Sequence, residues 1–248
     1  MLNRCTFELR TLVISQPTYL PWLGYFRIMK EAEVYVFLDN VQFEARSWQC
    51  RNRIKSPTKT IWLSVPTHHE SQSRISEVDI DNSKLWMRQH WNALKTSYGK
   101  APYFRKYSPF FKSVFEREWM TLAALDIHIV RYIAEQLGLS PIFVQASKLG
   151  LEGKRTNLLL EICKMFSAER YLSSIGAKEY MKEDGAAKIF EEANIKVGFL
   201  EFKVPAYPQL FGKFVPDLSI IDCLFNCGPD TLKIISNENT TTYYELDR

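Results

Sequence analysis

The chain has 248 residues, of which 46% are apolar and 24% charged, and its formal net charge is +4. This length and apolar fraction suffice for one large domain with a sizeable core. The mild positive charge permits an anionic ligand, but it is too small to predict a nucleic-acid-binding protein. No long uncharged apolar run occurs, so we expect no membrane span. Five scattered cysteines without a CxxC pair argue against a zinc site or disulfide framework and favour a reducing cytoplasm.

The segment 11–55 predicts a strand, a tight loop, a helix and a second strand. Residues 12–14 form a short apolar run, which is typical of a strand buried on both faces. Pro17 and Pro21 end this strand, because proline cannot donate a ladder hydrogen bond. Residues 34–38 alternate as the second strand. A unit of this length forms a right-handed parallel crossover, so both strands end at one edge, where ligands bind in open α/β sheets.

Polar and aromatic residues crowd at this predicted edge and in the turn that follows it. The candidate ligand-binding residues are Gln16, Tyr19, Trp22, Tyr25, Asp39, Gln42, Trp48, Arg51, Asn52, Arg53 and Lys55. A helix cap and a solvated turn would explain any one of them. The whole set, with amides, an acid, aromatic rings and three cations, exceeds what a turn requires. If segment 51–55 is extended, its three cations share one face.

A helix is predicted from Ser83 to Gly99, and it carries His90 between apolar neighbours. His90 is either a structural histidine whose hydrogen bonds are satisfied at the helix surface or a proton-transfer group. The second role is chemically reasonable because the ordinary pKa of histidine lies near neutrality. Segment 101–111 contains two prolines and is interpreted as a loop or a helix connection. No metal site is expected, because the adjacent His68 and His69 would point in opposite directions on a strand.

A second candidate ligand edge follows a strand that ends near residue 173. There a loop of small residues leads into a helix, and the candidate site residues are Ser174, Lys178 and Tyr180. An ordinary strand-to-helix turn is the alternative. Segment 150–156 has two glycines and two cations but no phosphate-loop spacing, so it is interpreted as a flexible loop. The polar residues from Asn237 onward are expected to fray.

Strands alternate with helices along most of the chain, without a repeat or a flexible linker. This order predicts one α/β domain over residues 1–248. Residues 83–137 are mainly helical and form a possible lobe within that domain.

Several segments together resemble the WbqC-like protein family. They are QPTYLPWLGYF, DNVQF, SWQCRNRIK, WLSVP, HWNALKTSYGKAPYF, YLSSIGAKEYM and PDLSIIDCLFNCG, and the resemblance covers nearly all of residues 13–228. The resemblance implies a role in bacterial O-antigen, lipopolysaccharide or other surface-polysaccharide biosynthesis, with glycine transfer to an amino sugar as a suggested reaction. It supplies no catalytic residue set and no cofactor.

A weaker likeness concerns the fold. The first strand, loop, helix and second strand resemble nucleotidylyltransferase-type α/β proteins such as pantothenate synthetases, which implies a parallel-sheet, Rossmann-like core with a mainly helical insertion. Those enzymes carry an HxGH element, whereas segment 21–25 here reads PWLGY and lacks both histidines. ATP-dependent adenylation by that element is therefore not expected.

Two functions remain open. The first is a transferase that moves an acyl or aminoacyl group onto the amino group of a nucleotide-linked sugar. Its cations would hold the diphosphate, its aromatic rings would pack on the sugar or base, and Asp39 or His90 would accept the amine proton. The second is a non-catalytic protein that binds a sugar nucleotide. The donor is open among an activated amino acid, a coenzyme A ester and a charged tRNA; no other nucleic acid is expected as a partner.

Overall fold

A computed structural model describes residues 10–246 and contains a mixed α/β fold. The strands are β1 Thr11–Ser15, β2 Val34–Phe37, β3 Arg51–Lys55, β4 Thr60–Ser64, β5 Thr67–His68, β6 Asp79–Ile80, β7 Ile142–Gln145, β8 Arg170–Ser174, β9 Lys196–Phe202 and β10 Thr241–Glu245. The helices are α1 Leu23–Met29, α2 Trp86–Tyr98, α3 Phe104–Phe115, α4 Leu122–Gln136, α5 Arg155–Met165, α6 Lys178–Glu183, α7 Ala186–Glu192, α8 Ile220–Cys227 and α9 Asp230–Ile235. None of the helices in this part of the chain is long and apolar enough to cross a membrane.

The central sheet has six strands in the order β10-β9-β8-β1-β2-β7. Its strands pair in parallel except for β10, which runs antiparallel to β9. The prediction of an α/β fold with a mainly parallel sheet is therefore confirmed. The strands β3 and β4 form a separate antiparallel hairpin, so the cationic segment 51–55 is extended but does not belong to the central sheet.

The two faces of the sheet are covered by different helices, because side chains alternate along each strand. Val13 and Tyr35 pack on one face with Phe26 of α1, within a core that also contains residues of α2, α3 and α4. Leu12 and Val36 face the other side, where they pack with residues of α5 and α7. Residues of α2 to α4 pack in the same core as α1 and the sheet. This packing does not separate residues 83–137 from the rest of the fold, so the helical lobe stays a prediction.

Two expectations about local structure need correction. In segment 101–111 only the first three residues connect α2 to α3. The rest is helical, since α3 runs through Pro109 and its buried face outweighs the lost backbone hydrogen bond. Residues 241–245 are expected to fray but form β10, which pairs with β9; residues 247–248 lie outside the described part of the chain. The buried Arg27 donates to the hydroxyl of Thr241 at 3.0 Å and to that of Tyr243 at 2.8 Å. This arginine of α1 ties the last strand to the body of the fold.

The strand order reverses at β1. The chain passes from β1 outward to β2 and β7, and then returns to place β8 on the opposite side of β1. The loop after β1 leads to α1 on one face, while the loop after β8 leads to α6 and α7 on the other. Such divergence opens a crevice at the carboxyl ends of the two strands, which is where ligands bind in open α/β sheets.

Candidate functional site

Two adjoining cavities lie over the carboxyl ends of β1, β2 and β8. Their volumes are about 390 and 800 Å³. They share four lining residues: Gln16, Leu38, Leu159 and Tyr180. We call the combined space the switch-point cleft. Its size falls in the range of small-molecule sites.

The smaller cavity is the aromatic end of the cleft. Its rings come from Trp22, Tyr25, Trp48, Tyr171 and Tyr180. The Tyr25 hydroxyl donates to the main-chain oxygen of Gln16 at 3.2 Å, which fixes this ring beside the end of β1. Rings held in this way offer rigid surfaces on which a sugar or a base can pack.

Gly24 explains how Trp22 reaches the wall of the cleft. A Cβ atom at position 24 would overlap the six-membered ring of Trp22, closer than real side chains approach. Glycine is therefore required here by a close approach. Its absent side chain lets the indole lie flat against the start of α1.

Gln16 is held at the centre of the cleft by a second glutamine. The side-chain oxygen of Gln16 accepts from Nε2 of Gln49 at 2.8 Å, and Gln49 Oε1 accepts from the main-chain N–H of Glu44 at 2.9 Å. The side-chain nitrogen of Gln16 has no acceptor within residues 10–246, so it is a donor available to a ligand.

The larger cavity is the cationic end of the cleft. Arg74, Lys154 and Arg155 line it together with the amides of Asn40 and Gln42. Arg74 pairs with Glu152 at 3.0 Å and Arg155 with Asp184 at 3.1 Å. Lys154 forms no ion pair in the described part of the chain. An arginine and a lysine facing amides are well suited to a phosphate group.

The loop over residues 150–156 forms one wall of this cationic end. Asn40 donates to the main-chain oxygen of Leu151 at 3.4 Å, which ties the loop to the residues after β2. Arg155 has a φ of +51°, which is uncommon for a residue with a side chain. Strained residues of this kind cluster at ligand sites. The interpretation of this segment as a mere flexible loop missed its place in the cleft.

The structure divides the predicted site residues into groups. Seven line the cleft: Gln16, Trp22, Tyr25, Gln42, Trp48, Ser174 and Tyr180. Five others are buried: Tyr19, Asp39, Asn52, Lys55 and His90. Arg51 and Arg53 lie on the β3–β4 hairpin, and the ammonium of Lys178 lies 5.1 Å from the ring of Tyr244. The predicted cations therefore do not converge on one phosphate.

Asp39 is buried at the end of β2. Its carboxylate accepts from the main-chain N–H of Ser147 at 2.8 Å and from the Ser147 hydroxyl at 2.7 Å. These bonds join the ends of β2 and β7. They favour a structural carboxylate, and the role of Asp39 as a base stays a prediction.

Asn52 and Lys55 are held inside the protein by main-chain oxygens. Asn52 donates to Leu20 at 2.8 Å, and the Lys55 ammonium donates to Lys213 at 2.6 Å. The two-residue period does place Arg51, Arg53 and Lys55 on one strand side. However, the chain around Lys213 covers the ammonium of Lys55, and the predicted role of Lys55 in phosphate binding stays a prediction.

His90 is buried in α2. Its Nδ1 lies 2.8 Å from the hydroxyl of Tyr19, and its ring packs against Trp86 and Phe115. Burial lowers the pKa of His90 to about 4, because the charged imidazolium loses its hydration. The ring is therefore neutral near pH 7. Its proposed part in proton transfer stays a prediction.

We expect the burial of His90 to make stability depend on pH. Below pH 6.5 the unfolded chain binds a proton that the buried ring, with a pKa of about 4, does not take up. The contribution of His90 to the free energy of unfolding should therefore fall by about 3 kcal/mol between pH 6.5 and 4, at 1.36 kcal/mol per pKa unit. Urea titrations across this range should show that His90→Gln removes this slope. The exposed His68, changed to Gln, is the control; equal slopes in wild type and His90→Gln would contradict the assignment.

Two cysteines bear on the chemistry of the site. Cys50 and Cys163 are buried, and burial raises the pKa of both thiols. A raised pKa opposes formation of the nucleophilic thiolate.

No group of three or more His, Cys, Asp or Glu side chains suited to a metal occurs within residues 10–246.

Comparisons with known proteins give a relative of this chain and a family that matches it. It is 30% identical over 232 residues to the uncharacterized protein Rv1507c of Mycobacterium tuberculosis, an alignment that covers 91% of this chain and 98% of that protein. No solved structure matches the chain. The WbqC-like protein family matches it over residues 16–234, a range that includes most of the cleft. The chain belongs to the WbqC-like protein family.

Proposed function

We propose that this protein is a transferase that moves an acyl or aminoacyl group, such as glycyl, onto the amino group of a nucleotide-linked amino sugar. The observation that carries this proposal is the switch-point cleft, which joins an aromatic end to a cationic end. A nucleotide sugar has the matching chemistry, since its diphosphate needs cations and its rings need flat apolar surfaces. The family resemblance supports a role in bacterial O-antigen or lipopolysaccharide biosynthesis, which begins in the cytoplasm.

The fold supports the same proposal. We infer that the sheet is a Rossmann-like core of the nucleotidylyltransferase type, with α2 to α4 as its helical insertion. Parallel strands, helices on both faces and a reversal of strand order at β1 support this inference. Folds of this kind place the phosphates of nucleotides at the strand ends where the cleft lies.

In the proposed complex the diphosphate binds Arg74 and Lys154, while the sugar packs between Trp22 and Tyr25. The sugar amine attacks the carbonyl carbon of the donor, and a C–N bond forms. The C–O or C–S bond to the carrier then breaks, and the carrier leaves as an alcohol, a thiol or a phosphate, while the base takes up the proton that the amine has lost. The donor is an activated amino acid, a coenzyme A ester or a charged tRNA.

The proton needs a base, since an ammonium group is not nucleophilic. Among the described residues that line the smaller cavity, Glu44 is the one carboxylate, and it lies beside the Gln16–Gln49 pair. We assign the base to Glu44. The buried Asp39 and His90 are the alternatives; if none of the three is needed, the protein is a non-catalytic binder of sugar nucleotides.

Lys154→Ala tests the binding step. Removing a charge-assisted contact to phosphate should weaken the affinity for a uridine-diphosphate amino sugar about ten- to a hundredfold. Isothermal titration calorimetry of wild type and Lys154→Ala measures this change. Lys188→Ala is the matched control, because its ammonium lies on α7 and pairs at 4.0 Å with Glu192. Equal affinities in wild type and Lys154→Ala would contradict the proposed phosphate contact.

Glu44→Gln separates an enzyme from a binding protein. The variant should bind the sugar nucleotide as the wild type does, but its product formation should fall about a hundredfold or more. Mass spectrometry of the acylated sugar, with each donor class supplied in turn, measures the product. Unchanged turnover in Glu44→Gln would exclude this residue as the base. If the wild type forms no product with any of the donor classes, the non-catalytic alternative is favoured.

A further inference from the structure

Two tryptophans and two partly exposed arginines form a cluster at the β3–β4 hairpin, where Trp48 lies in the turn just before β3 and the other three side chains lie on the two strands. Trp48 and Trp62 lie with ring centroids 5.5 Å apart and remain 51% and 47% exposed. The guanidinium of Arg51 lies 4.5 Å from the Trp62 ring, and that of Arg53 lies 5.7 Å from the same ring. We call these four side chains the hairpin platform.

The register of the hairpin explains why these side chains meet. Arg53 pairs directly with Trp62 across the strands, and Arg51 lies two residues earlier on the same face. The opposite face carries the buried Ile54 and Leu63, which attach the hairpin to the core. Three of the four platform side chains are therefore carried by paired strands, and Trp48 lies in the turn that leads into β3.

The arginines of the platform have donors to spare. Neither guanidinium forms an ion pair with a carboxylate within residues 10–246. Arg53 donates from Nη2 to the main-chain oxygen of Asp217 at 3.1 Å, and its Nη1 has no acceptor in the same range. A guanidinium stacked on an indole is held flat with its N–H edge free to bind an anion.

We propose that the hairpin platform binds the nucleotide portion of the acyl or aminoacyl donor. A nucleobase would stack on the exposed indoles while Arg51 and Arg53 hold its phosphate. Exposed aromatic rings interleaved with cations are the means by which proteins bind bases and their backbone phosphates. A neutral glycan would use the rings but not the two unpaired guanidiniums, and a membrane surface would need a larger basic patch.

The position of the platform fits a second substrate. Trp48 belongs both to the platform and to the wall of the smaller cavity. Its main-chain oxygen accepts from the N–H of Tyr19 at 3.1 Å, which anchors it beside the end of β1. A nucleotide on the platform therefore lies at the mouth of the cleft, where its activated acyl group can reach the amine of the bound sugar.

Of the three donor classes, the coenzyme A ester and the charged tRNA always carry a nucleotide, and two probes distinguish them. Adenosine 3′,5′-bisphosphate represents the nucleotide of coenzyme A, and the trinucleotide CCA represents the 3′ end of tRNA. Titration of each probe into the full chain at low salt should show binding of one, and binding of either supports the platform. Absence of binding of both at millimolar concentration would overturn it.

Variants locate the binding. Trp62→Ala should weaken the affinity for the bound probe about 5- to 150-fold, the usual loss for one stacked base. Arg51→Ala should weaken it about tenfold and reduce its dependence on salt. Arg117→Ala is the matched control, because Arg117 also stacks on an indole, at 3.7 Å from Trp119, but that ring is buried. Full affinity in both platform variants, each shown to be folded, would overturn the proposal.

The role of the ligand as donor rests on the proposed transferase function, but its binding to the platform does not. Calorimetry with the uridine-diphosphate amino sugar keeps the two apart, because Trp62 and Arg51 do not line the cleft. Trp62→Ala should leave that affinity unchanged while raising the KM for the donor. Loss of probe binding with the sugar affinity intact would confirm a separate donor site.

Discussion

Replacing Asp222 by alanine should lower the free energy of unfolding by about 2–6 kcal/mol. Asp222 is fully buried in α8, where its carboxylate accepts from the hydroxyls of Tyr98 at 2.9 Å and Tyr207 at 3.0 Å. Alanine would leave both donors buried without a partner, and each such loss costs about 1–3 kcal/mol. Urea unfolding of the variant measures the change.

Two further variants make this test specific. Asp222→Asn keeps one acceptor, so its loss should be clearly smaller than that of alanine. Glu192→Ala, which removes an exposed carboxylate of α7, should change stability by less than about 1 kcal/mol. If Asp222→Ala were no less stable than Glu192→Ala, the network would not hold the fold together.

The Asp222 network also supports the hairpin. The Tyr98 hydroxyl accepts from the main-chain N–H of Lys55 at 3.2 Å while it donates to Asp222. The end of β3 is therefore linked through Tyr98 to α8. Because the platform lies on this hairpin, Asp222→Asn should weaken nucleotide binding there more than sugar-nucleotide binding in the cleft.

Gly24→Ala should weaken the affinity for the nucleotide sugar by about tenfold or more. The added Cβ would overlap the ring of Trp22, so the indole must leave the wall of the cleft. Displacing a packed ring costs about 1–3 kcal/mol, and 1.4 kcal/mol corresponds to about tenfold in affinity. Calorimetry with the uridine-diphosphate amino sugar measures the loss.

A double-mutant cycle shows whether the effect passes through Trp22. In the background of Trp22→Ala the ring is absent, so Gly24→Ala should cause no additional loss of affinity. The substitution can even gain helix propensity there. An equal loss from Gly24→Ala in both backgrounds would mean that the glycine acts by another route.

Local sequence patterns predict the first half of the site well. The run of residues 12–14, the prolines after it and the alternation over 34–38 identify β1, α1 and β2 and the edge at which they end. That edge carries Gln16, Trp22 and Tyr25, which line the cleft. These positions follow from short-range rules on proline, strand alternation and crossovers.

The other half depends on contacts that are distant in sequence. Arg74 and Lys154 are 80 positions apart and meet only because the loop over residues 150–156 returns to the end of β2. In the sequence Asp39 is an acid at the end of a strand, whereas in the structure its carboxylate accepts hydrogen bonds from Ser147, which is 108 positions away. The segment around Lys213 buries Lys55 in the same way. No local pattern marks such partners.

The central claim is that a nucleotide sugar binds in the switch-point cleft, and a crystal structure of the complex tests it most directly. Crystals grown with the uridine-diphosphate amino sugar should show the diphosphate within hydrogen-bonding distance of Arg74 and Lys154. The sugar should lie against Trp22 and Tyr25, with its amine directed toward Glu44. A well-ordered nucleotide sugar bound elsewhere, with the cleft left to solvent, would contradict the claim.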